Sequence, residues 1–579
     1  METFQSLLGR KLSDALAQAD LPNAGEVSPA TDARFGDYQT NAALVLAKQR
    51  GEKPRDVAEK ILTHLEVSDI SEKPTIAGAG FINFTLRPEA IARKAIEILA
   101  DERLGVAKST APKKIVIDFG SPNVAKPMHV GHIRSIVLGD ALARIAQFLG
   151  HEIVRDNHIG DWGTQFGMVI WGWKNLLDRP ALTRDPIAEL VRIYKETNEK
   201  TITEPKVREA ARQELVKLQS GDPENFSIWK ETVDLSLKEF ECVYQLLDIH
   251  YDIQRGESFY NDRLPNVVER LLKSGIAEIS EGAVCVFFRD IPELAERPAI
   301  IRKSDGGFNY ATTDVATVDY RIKDLKADTV WLVVGAPQIL HFKQIFAIAR
   351  REGYTADLRH ITFGSILGED RKLMKTRSGE NVPLRDLLDE AVQRARKIIE
   401  EKNPDLSETE KSDIAQKIGL GAVKYYDLSQ YRMTDYVFSW DRMLSLQGNT
   451  APYLQNAYVR VRSIFRKADV AAPLGRGESR RQSAVATAIV LTEAAEINLA
   501  KRLTQFAEVV PQVLNDFRPN ILANYLFELA NSFHAFYEAC PVLKSDEPVR
   551  GSRLALSELT GRVLQRGLDL LGIKVPEKM

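Results

Sequence analysis

I-V-I-D-F-G-S-P-N-V-A-K-P-M-H-V-G-H, residues 115–132, decides how the chain is read. An apolar run from Ile115 to Phe119 ends in Gly120-Ser121-Pro122. His129 and His132 then flank Gly131 just before Ile133, Ile136, Val137, Ala141, Ile145 and Leu149 recur at helical spacing. Gly150 stands where a helix should stop, and Ile153-Val154 opens a second strand. The order strand, loop, helix, strand is the first βαβ unit of a parallel sheet, with two imidazoles at the mouth of its helix. Free N–H groups and the helix dipole make such a mouth attractive to phosphate, and Gly131 lets a ligand approach the backbone. The run reads as a nucleotide site.

Outward from this unit, the α/β rhythm is interrupted at about 171–300 by polar helices and one strand (Ala283 to Phe288), which predicts an insertion between two half-sheets. It resumes at T-V-W-L-V-V-G (329–335), a helix at about 341–352 and a strand at 360–367. Upstream, helices at 4–19, 37–50 and 54–65, a strand at 75–86 and a helix from Pro88 make a separate αβ pattern. Residues 101–114 read as a linker. Beyond about 385 strand signals vanish. Ser407-x-x-Glu410 predicts a capping box, and Asn449 or Thr450 caps a helix with Pro452 in its first turn. A Gly/Pro/Arg-rich segment at 472–482 joins two parts of an all-α region.

With 579 residues the chain exceeds one core, and 44% apolar with 27% charged residues is ordinary globular composition. No stretch approaches the ~18–20 uncharged residues of a membrane span. Met1-Glu2-Thr3-Phe4-Gln5 does not begin a signal peptide. Three distant cysteines without a C-x-x-C predict neither a disulfide framework nor a protein-bound zinc, and a cytoplasmic location. A net charge of −2 excludes wholesale non-specific nucleic-acid binding but leaves room for an RNA held by local patches. His129 and His132 could begin a metal site, yet nothing fixes the third ligand such a site needs. Their place between a turn and a helix start favours phosphate.

H-V-G-H resembles the H-I-G-H signature of the class I aminoacyl-tRNA synthetases, which use these imidazoles on the phosphates of ATP. That family's second signature, K-M-S-K-S, belongs after the second half-sheet. There this chain has Gly368-Glu369-Asp370-Arg371-Lys372-Leu373-Met374-Lys375-Thr376-Arg377. Lys372, Lys375 and Thr376 match, whereas Leu373 and Met374 depart, leaving open which lysine makes the main phosphate contact. Within the class, D-F-G-S-P-N-V-A-K-P-M-H-V-G-H (118–132), N-H-I-G-D-W-G-T-Q-F-G (157–167), Y-A-T-T-D (310–314), K-L-M-K-T-R (372–377) and Q-G-N-T-A-P-Y-L-Q-N-A-Y-V-R (447–460) are similar to arginyl-tRNA synthetases of bacterial type.

The chemistry agrees. A guanidinium pairs best with carboxylates. Asp118 ends the first strand and Asp314 lies one helical turn beyond Tyr310, so both could face a pocket at the sheet's carboxyl edge. The resemblance implies that Asn123 holds the amino or carboxylate end of L-arginine and that Tyr310, Asp314 and Gln338 line the side-chain pocket. The plain structural alternative makes Asp314 a helix cap and Tyr310 core. His129, Gly131, His132, Lys372 and Lys375 would bind ATP, with His129, His132, Lys372 and Lys375 catalytic and Mg2+ arriving with the nucleotide. Arginine tRNA would meet Phe81 and Asn83 at its elbow. Tyr453, Tyr458, Arg460, Arg462, Arg466 and Lys467, which interleave aromatics with bases, would meet it in the anticodon-binding bundle. A buried amphipathic helix is the competing view of that last stretch.

The expected architecture is therefore α/β multidomain. A small N-terminal αβ domain spans 1–105, a Rossmann-like parallel-sheet catalytic domain with its insertion spans 112–385, and an all-α helical bundle spans 386–579. The expected enzyme is a cytoplasmic monomer that makes no membrane contact. Rivals fit less well: a cysteinyl enzyme wants zinc-ligand cysteines, valyl, leucyl and isoleucyl enzymes a larger insertion, and a small nucleotidyltransferase no bundle. A non-catalytic RNA-binding paralogue need not keep His129, His132, Lys372 and Lys375 together.

Overall fold

The computed structural model describes residues 1–375, 381–468 and 488–579. Thr376, Arg377 and the 472–482 segment lie outside these. The chain divides into two units.

The first unit comprises 1–108, 403–418 and 444–579. Its N-terminal part carries α1 (Phe4–Gln18), β1 (Val27–Pro29), β2 (Tyr38–Thr40), α2 (Ala42–Arg50), α3 (Pro54–Leu62), β3 (Thr75–Ala77), β4 (Phe81–Phe84) and α4 (Pro88–Ala100). The strands form an antiparallel sheet in the order β1-β2-β4-β3. The helix expected from residue 37 starts only at Ala42, because Tyr38–Thr40 pairs on both sides within this sheet and pairing overrides local propensity. The single strand expected at 75–86 is a hairpin, broken where Gly78 and Gly80 take φ of 55° and 141°.

The second unit comprises 109–402 and 419–443. Its centre is β5 (Lys114–Asp118), α5 (Val130–Phe148), β6 (Glu152–Ile159), then α6 (Gln165–Leu176), α7 (Arg179–Arg184), α8 (Pro186–Thr203), α9 (Pro205–Gln219), α10 (Pro223–Leu246) and β7 (Ile253–Gly256). There follow α11 (Leu264–Lys273), β8 (Glu278–Ser280), β9 (Ala283–Val286), β10 (Ala299–Arg302), α12 (Tyr310–Lys323), β11 (Thr329–Leu332), α13 (Ile339–Arg351) and β12 (Asp357–His360). Five strands pair in parallel in the order β12-β11-β5-β6-β7, the doubly wound order of a Rossmann fold. Val116 and Val330 are fully buried at its centre, each worth about 1.5–3 kcal/mol removed from water.

The interruption is not one insert. Helices α6–α10 precede β7, which belongs to the main sheet; only then comes the small antiparallel sheet of β8, β9 and β10. The strand expected at 360–367 also divides. Its first part ends β12; its last part, β13 (Ile366–Leu367), pairs with β14 (Tyr436–Val437), a strand no periodicity announces. The break falls where Gly364 packs against the Thr434 backbone without room for a Cβ. Helices α14 (Leu384–Lys402), α15 (Glu408–Leu428) and α16 (Trp440–Met443) lie in this stretch of chain. Ser407 and Glu410 make the expected capping box at the start of α15.

The bundle of the first unit is completed by α17 (Ala451–Lys467), capped by Thr450, and by α18 (Ala494–Thr504), α19 (Phe506–Asn515), α20 (Asn520–Ala539) and α21 (Val549–Leu570). Within that unit Tyr38 donates to the buried Glu508 carboxylate, and Lys501 pairs with Asp37 at 2.7 Å, fastening the N-terminal sheet to helices of the bundle. Among the described residues no helix is long and apolar enough to cross a membrane.

Candidate active site and RNA-facing surfaces

The order of strands reverses between β5 and β11, and loops after their carboxyl ends open a crevice where α/β proteins bind ligands. The β5 loop is held from every side. Gly120 donates to Ser135 Oγ at 2.9 Å, Ser121 N to Asn157 Oδ1 at 3.2 Å, and Ser121 Oγ to Asp118 at 2.8 Å. Tyr251 donates to the Phe119 carbonyl, and its hydroxyl sits 2.5 Å from where a Cβ on Gly120 would be. Gly120, Ser121 and Ala125 all have positive φ, of 88°, 46° and 59°. Strain of this kind persists only where the surroundings over-determine the loop. The exposed Asn123 is bridged to Gly160, which has no room for a side chain against it.

His129 caps α5. Its Nδ1 accepts from Gly131 N at 3.1 Å, and its own amide donates to His132 Nδ1 at 3.0 Å. An amide can only donate, so this outweighs the His129 carbonyl at 3.2 Å from the same nitrogen. Both Nδ1 atoms are acceptors, which leaves the proton of each neutral ring on Nε2. Burial lowers both imidazoles, His132 to about 4 with His129 adding to the effect, and His129 with help from Lys126. Near neutral pH they are therefore donors rather than cations.

The second signature is joined to the first by backbone pairing. Gly368 donates to the Lys372 carbonyl and Met374 to that of Ile366, folding 368–375 into a tight loop with Lys372 and Lys375 exposed. Lys375 bridges Asn381; two residues on, Pro383 bridges His129, and Val130 donates to the Val382 carbonyl at 2.9 Å. Beneath them Arg134, one turn into α5, meets Asp427 at 3.0 Å, and Tyr436 of β14 donates to the same carboxylate at 3.0 Å.

Asn309 caps α12, so Asp314 does not. Tyr310 is 64% exposed and is not core. Asp314 accepts from His341 Nε2 at 2.5 Å, and the His341 ring lies 5.0 Å from that of Tyr310. Gln338 is exposed at the end of the turn that starts α13. Sequence reasoning missed Glu257. Burial pushes this carboxyl up to about 8, with Asp314 and Asp161 adding like charge. Burial also raises Asp161, which accepts from Ser258 N and Oγ at 2.8 and 2.6 Å. Half-buried Glu257 and Asp314 thus lie around the buried Asp161, an arrangement of carboxylates that suits a cation. Asp118, expected to face the pocket, is 6% exposed and already paired with Arg321 at 2.7 Å, so its carboxylate faces an internal guanidinium.

The RNA-facing candidates divide. Phe81 is half-buried; Asn83 is only 3% exposed, with both amide atoms unpartnered, so it offers no surface to a base. Tyr458 is fully buried, and Arg462 and Arg466 are bound to Glu577, its carboxylate and its carbonyl respectively. That corrects the expectation for Tyr458 and Arg462. Tyr453 and Arg460 lie on the other face. Tyr453 donates to Asn531 at 2.7 Å, and Arg460 donates to His534 and lies 5.4 Å over the Tyr537 ring.

A family model described as the catalytic domain of the class I tRNA synthetases (R) matches residues 94–440. One for the arginyl tRNA synthetase N-terminal domain matches 3–86, and one for the DALR anticodon binding domain 454–579. The chain is 45% identical to an arginine–tRNA ligase of Crocosphaera subtropica and 44% to that of Chromobacterium violaceum, covering 100% of both partners in each pair. Among solved structures, the arginyl-tRNA synthetase of Plasmodium falciparum matches with a TM-score of 0.84 at 29% identity. That of Thermus thermophilus matches with 0.83 at 26%, and coverage of both chains is 100% in each case.

Proposed function

The chain belongs to the arginyl-tRNA synthetases, class I enzymes that activate L-arginine with ATP and charge tRNA, and on that premise we propose how its residues divide the work. Asn123 holds the amino or carboxylate end of arginine. Tyr310, Asp314 and Gln338 line the side-chain pocket, and Glu257 joins Asp314 as a second acceptor for the guanidinium. Glu257 carries this reading: a carboxyl pushed up by burial and by Asp314 and Asp161 favours a cation there. Asp118 supports the wall from behind. Lysine would leave these acceptors imperfectly paired, a mismatch that can cost ~10⁴–10⁵ in discrimination.

His129 and His132 donate their Nε2–H to the phosphates of ATP, beside the Gly131 backbone, and Lys372 and Lys375 hold the pyrophosphate. An arginine carboxylate oxygen attacks the α-phosphorus, the bond to pyrophosphate breaks, and no covalent enzyme intermediate forms. The terminal tRNA 2′-hydroxyl then attacks the adenylate carbonyl and AMP leaves. Magnesium would enter on the nucleotide, held mainly through phosphates and waters.

We place elbow binding in the N-terminal domain at 1–105, the chemistry in 112–402 together with 419–443, a later end than the 385 expected, and anticodon recognition in the helices from Ala451 onward. The face of Tyr453, Arg460, His534 and Tyr537 is offered to the anticodon arm, because it sets a cation and open rings side by side. A cytoplasmic monomer that needs bound tRNA before it forms adenylate is carried over from the family resemblance; the three unpaired cysteines suit a reducing compartment.

The test is the steady-state response of Asp314→Asn and Glu257→Gln. Both should raise the arginine KM at least tenfold, in keeping with about 1.5–3 kcal/mol for a charged hydrogen bond, with the ATP KM little changed. Equal effects on the two substrates would contradict the pocket assignment.

A further inference from the structure

Asp118 ends β5 and stands in register opposite Asp156, which lies within the neighbouring parallel strand β6. Two carboxylates so placed repel, and both are buried, at 6% and 0% exposure. One guanidinium spans them. Arg321 donates from Nη2 to Asp118 at 2.7 Å and from Nε to Asp156 at 2.8 Å, and is itself 2% exposed. One Asp156 oxygen has no hydrogen-bond partner among the described residues, so the guanidinium is the main counterweight to this carboxylate, with His158 adding to it. Only an arginine fork can bridge both strands at once; a lysine offers a single point charge.

What this pair fixes is not itself. Arg321 is seven residues beyond Asp314 on α12, two turns along one helix face. The Asp118 carboxylate also receives Ser121 Oγ at 2.8 Å, in the strained loop that ends at Asn123. Beyond Asp156, Asn157 accepts from Ser121 N, and past the end of β6 the chain reaches Gly160, bridged to Asn123, and Asp161, which holds Ser258 beside Glu257. Three elements that carry the pocket thus converge on one side chain.

We propose that Arg321 is a positioning residue for arginine recognition, setting α12 with Asp314 and the β5 loop with Asn123 at one fixed separation through Asp118 and Asp156. It touches no substrate. The inference rests on the pocket assigned above to Asn123 and Asp314. The phosphate groups stand on α5 and the 368–375 loop, which Arg321 does not touch, so its loss should be felt in arginine binding and spare ATP.

The test uses the full-length enzyme with its tRNA. Arg321→Lys keeps the charge but loses the fork; a misplacement near 1 Å can cost as much as ~10²-fold, and we expect the arginine KM to rise about tenfold or more. The ATP KM should stay within about twofold, although the melting temperature should fall, because a lysine leaves one of the two buried carboxylates without its partner. Ser121→Ala, which breaks only the link from the pair to the loop, should raise the arginine KM about threefold. A folded Arg321→Lys enzyme with both KM values unchanged, or raised together, overturns the proposal. If that variant does not fold, Ser121→Ala decides alone, and an unchanged arginine KM there overturns it equally. Asp314→Asn serves as the control. If it fails to raise the arginine KM, the pocket reading itself is at fault; if it does and the Arg321 and Ser121 variants do not, only the positioning role falls.

Discussion

The backbone amide of His129 donates to Nδ1 of His132 at 3.0 Å, while Nδ1 of His129 accepts from Gly131 N. Each ring is thereby turned so that its remaining proton points away from the helix start. The two imidazoles lie 4.0 Å apart, a distance at which two positive charges would be costly.

Neutral donors rather than imidazolium ions follow from this arrangement. Activity should therefore not fall as a histidine is deprotonated near pH 6.5, and the pH profile of ATP–pyrophosphate exchange should show no limb of that kind. His132→Gln or His129→Gln should each lower the exchange rate by about 10²–10³, the usual effect of removing one such donor. The stability sign is also set. An unfolded histidine takes up a proton near 6.5 but folded His132 resists until about 4, so unfolding binds a proton in that window. His132's contribution is intact above about pH 6.5 and is lost as the pH falls toward 4, which chemical denaturation across pH 4–7 can read.

Glu257 has the opposite sign. Its carboxyl, at about 8, is largely protonated in the empty pocket at neutral pH. Its contribution to stability is complete below its unfolded value near 4.5 and declines as the pH rises toward 8. A guanidinium pairs far more strongly with the ionised form, so binding arginine should expel a proton. Calorimetry at pH 7 in two buffers of different ionisation enthalpy should show close to one proton released, and arginine affinity should strengthen from pH 6.5 to 8.5. Glu257→Gln should abolish both effects. Proton-neutral binding by the parent enzyme would remove Glu257 from the guanidinium contact.

Arg134 and Asp427 are 2% and 4% exposed, and burial pushes the Asp427 carboxyl up against the pull of the guanidinium. Arg134→Met strands a buried charge and should destabilise the enzyme by about 3–5 kcal/mol. Adding Asp427→Asn removes that charge and leaves Tyr436 a hydrogen-bond acceptor, so most of the loss should return. Denaturant midpoints of the two variants measure this directly.

In the bundle, Arg460→Ala should raise the tRNA KM several-fold and reduce the slope of binding against salt by about 1. Arg462→Ala should leave tRNA binding unaltered and instead loosen the contact with Glu577, lowering the melting temperature by a degree or two. Filter binding over a salt series separates the two arginines.

How much of this was legible in the sequence depends on how local each feature is. His129, Gly131 and His132 sit within four residues, and the pattern of strand, turn and helix around them needs only short-range geometry. Four of the five sheet strands followed from runs such as Ile115–Phe119 and Thr329–Gly335, which are apolar throughout because parallel strands are buried on both faces. β7 escaped notice because Ile253–Gly256 lies at the sheet edge, with only Ile253 apolar. Glu257 and Arg321 could not be found by pattern. Their partners lie 57 and 203 residues away in sequence, and a lone Glu or Arg in a polar stretch looks like solvent-facing surface. Asp118 shows the same limit: an acid at a strand end predicts a ligand contact, and the guanidinium that pairs with it in the fold lies 203 residues away in sequence.

The helix at 451–467 shows a different failure. Tyr453 and Tyr458 are five residues apart and so lie on different faces, although both sit among basic residues in sequence. Tyr458, Arg462 and Arg466, spaced by four, share the face that meets Glu577; Tyr453 and Arg460, spaced by seven, share the open one. Counting aromatics and bases along the chain mixed the two.

The central claim is tested most directly by ATP–pyrophosphate exchange with arginine or lysine, each with and without a transcript of arginine tRNA. Arginine should support exchange in the presence of the tRNA, and lysine should support none. Exchange with arginine alone would retain the enzyme class and remove the requirement for tRNA. Exchange supported equally by lysine, or absent with arginine although tRNA is bound, would contradict the account.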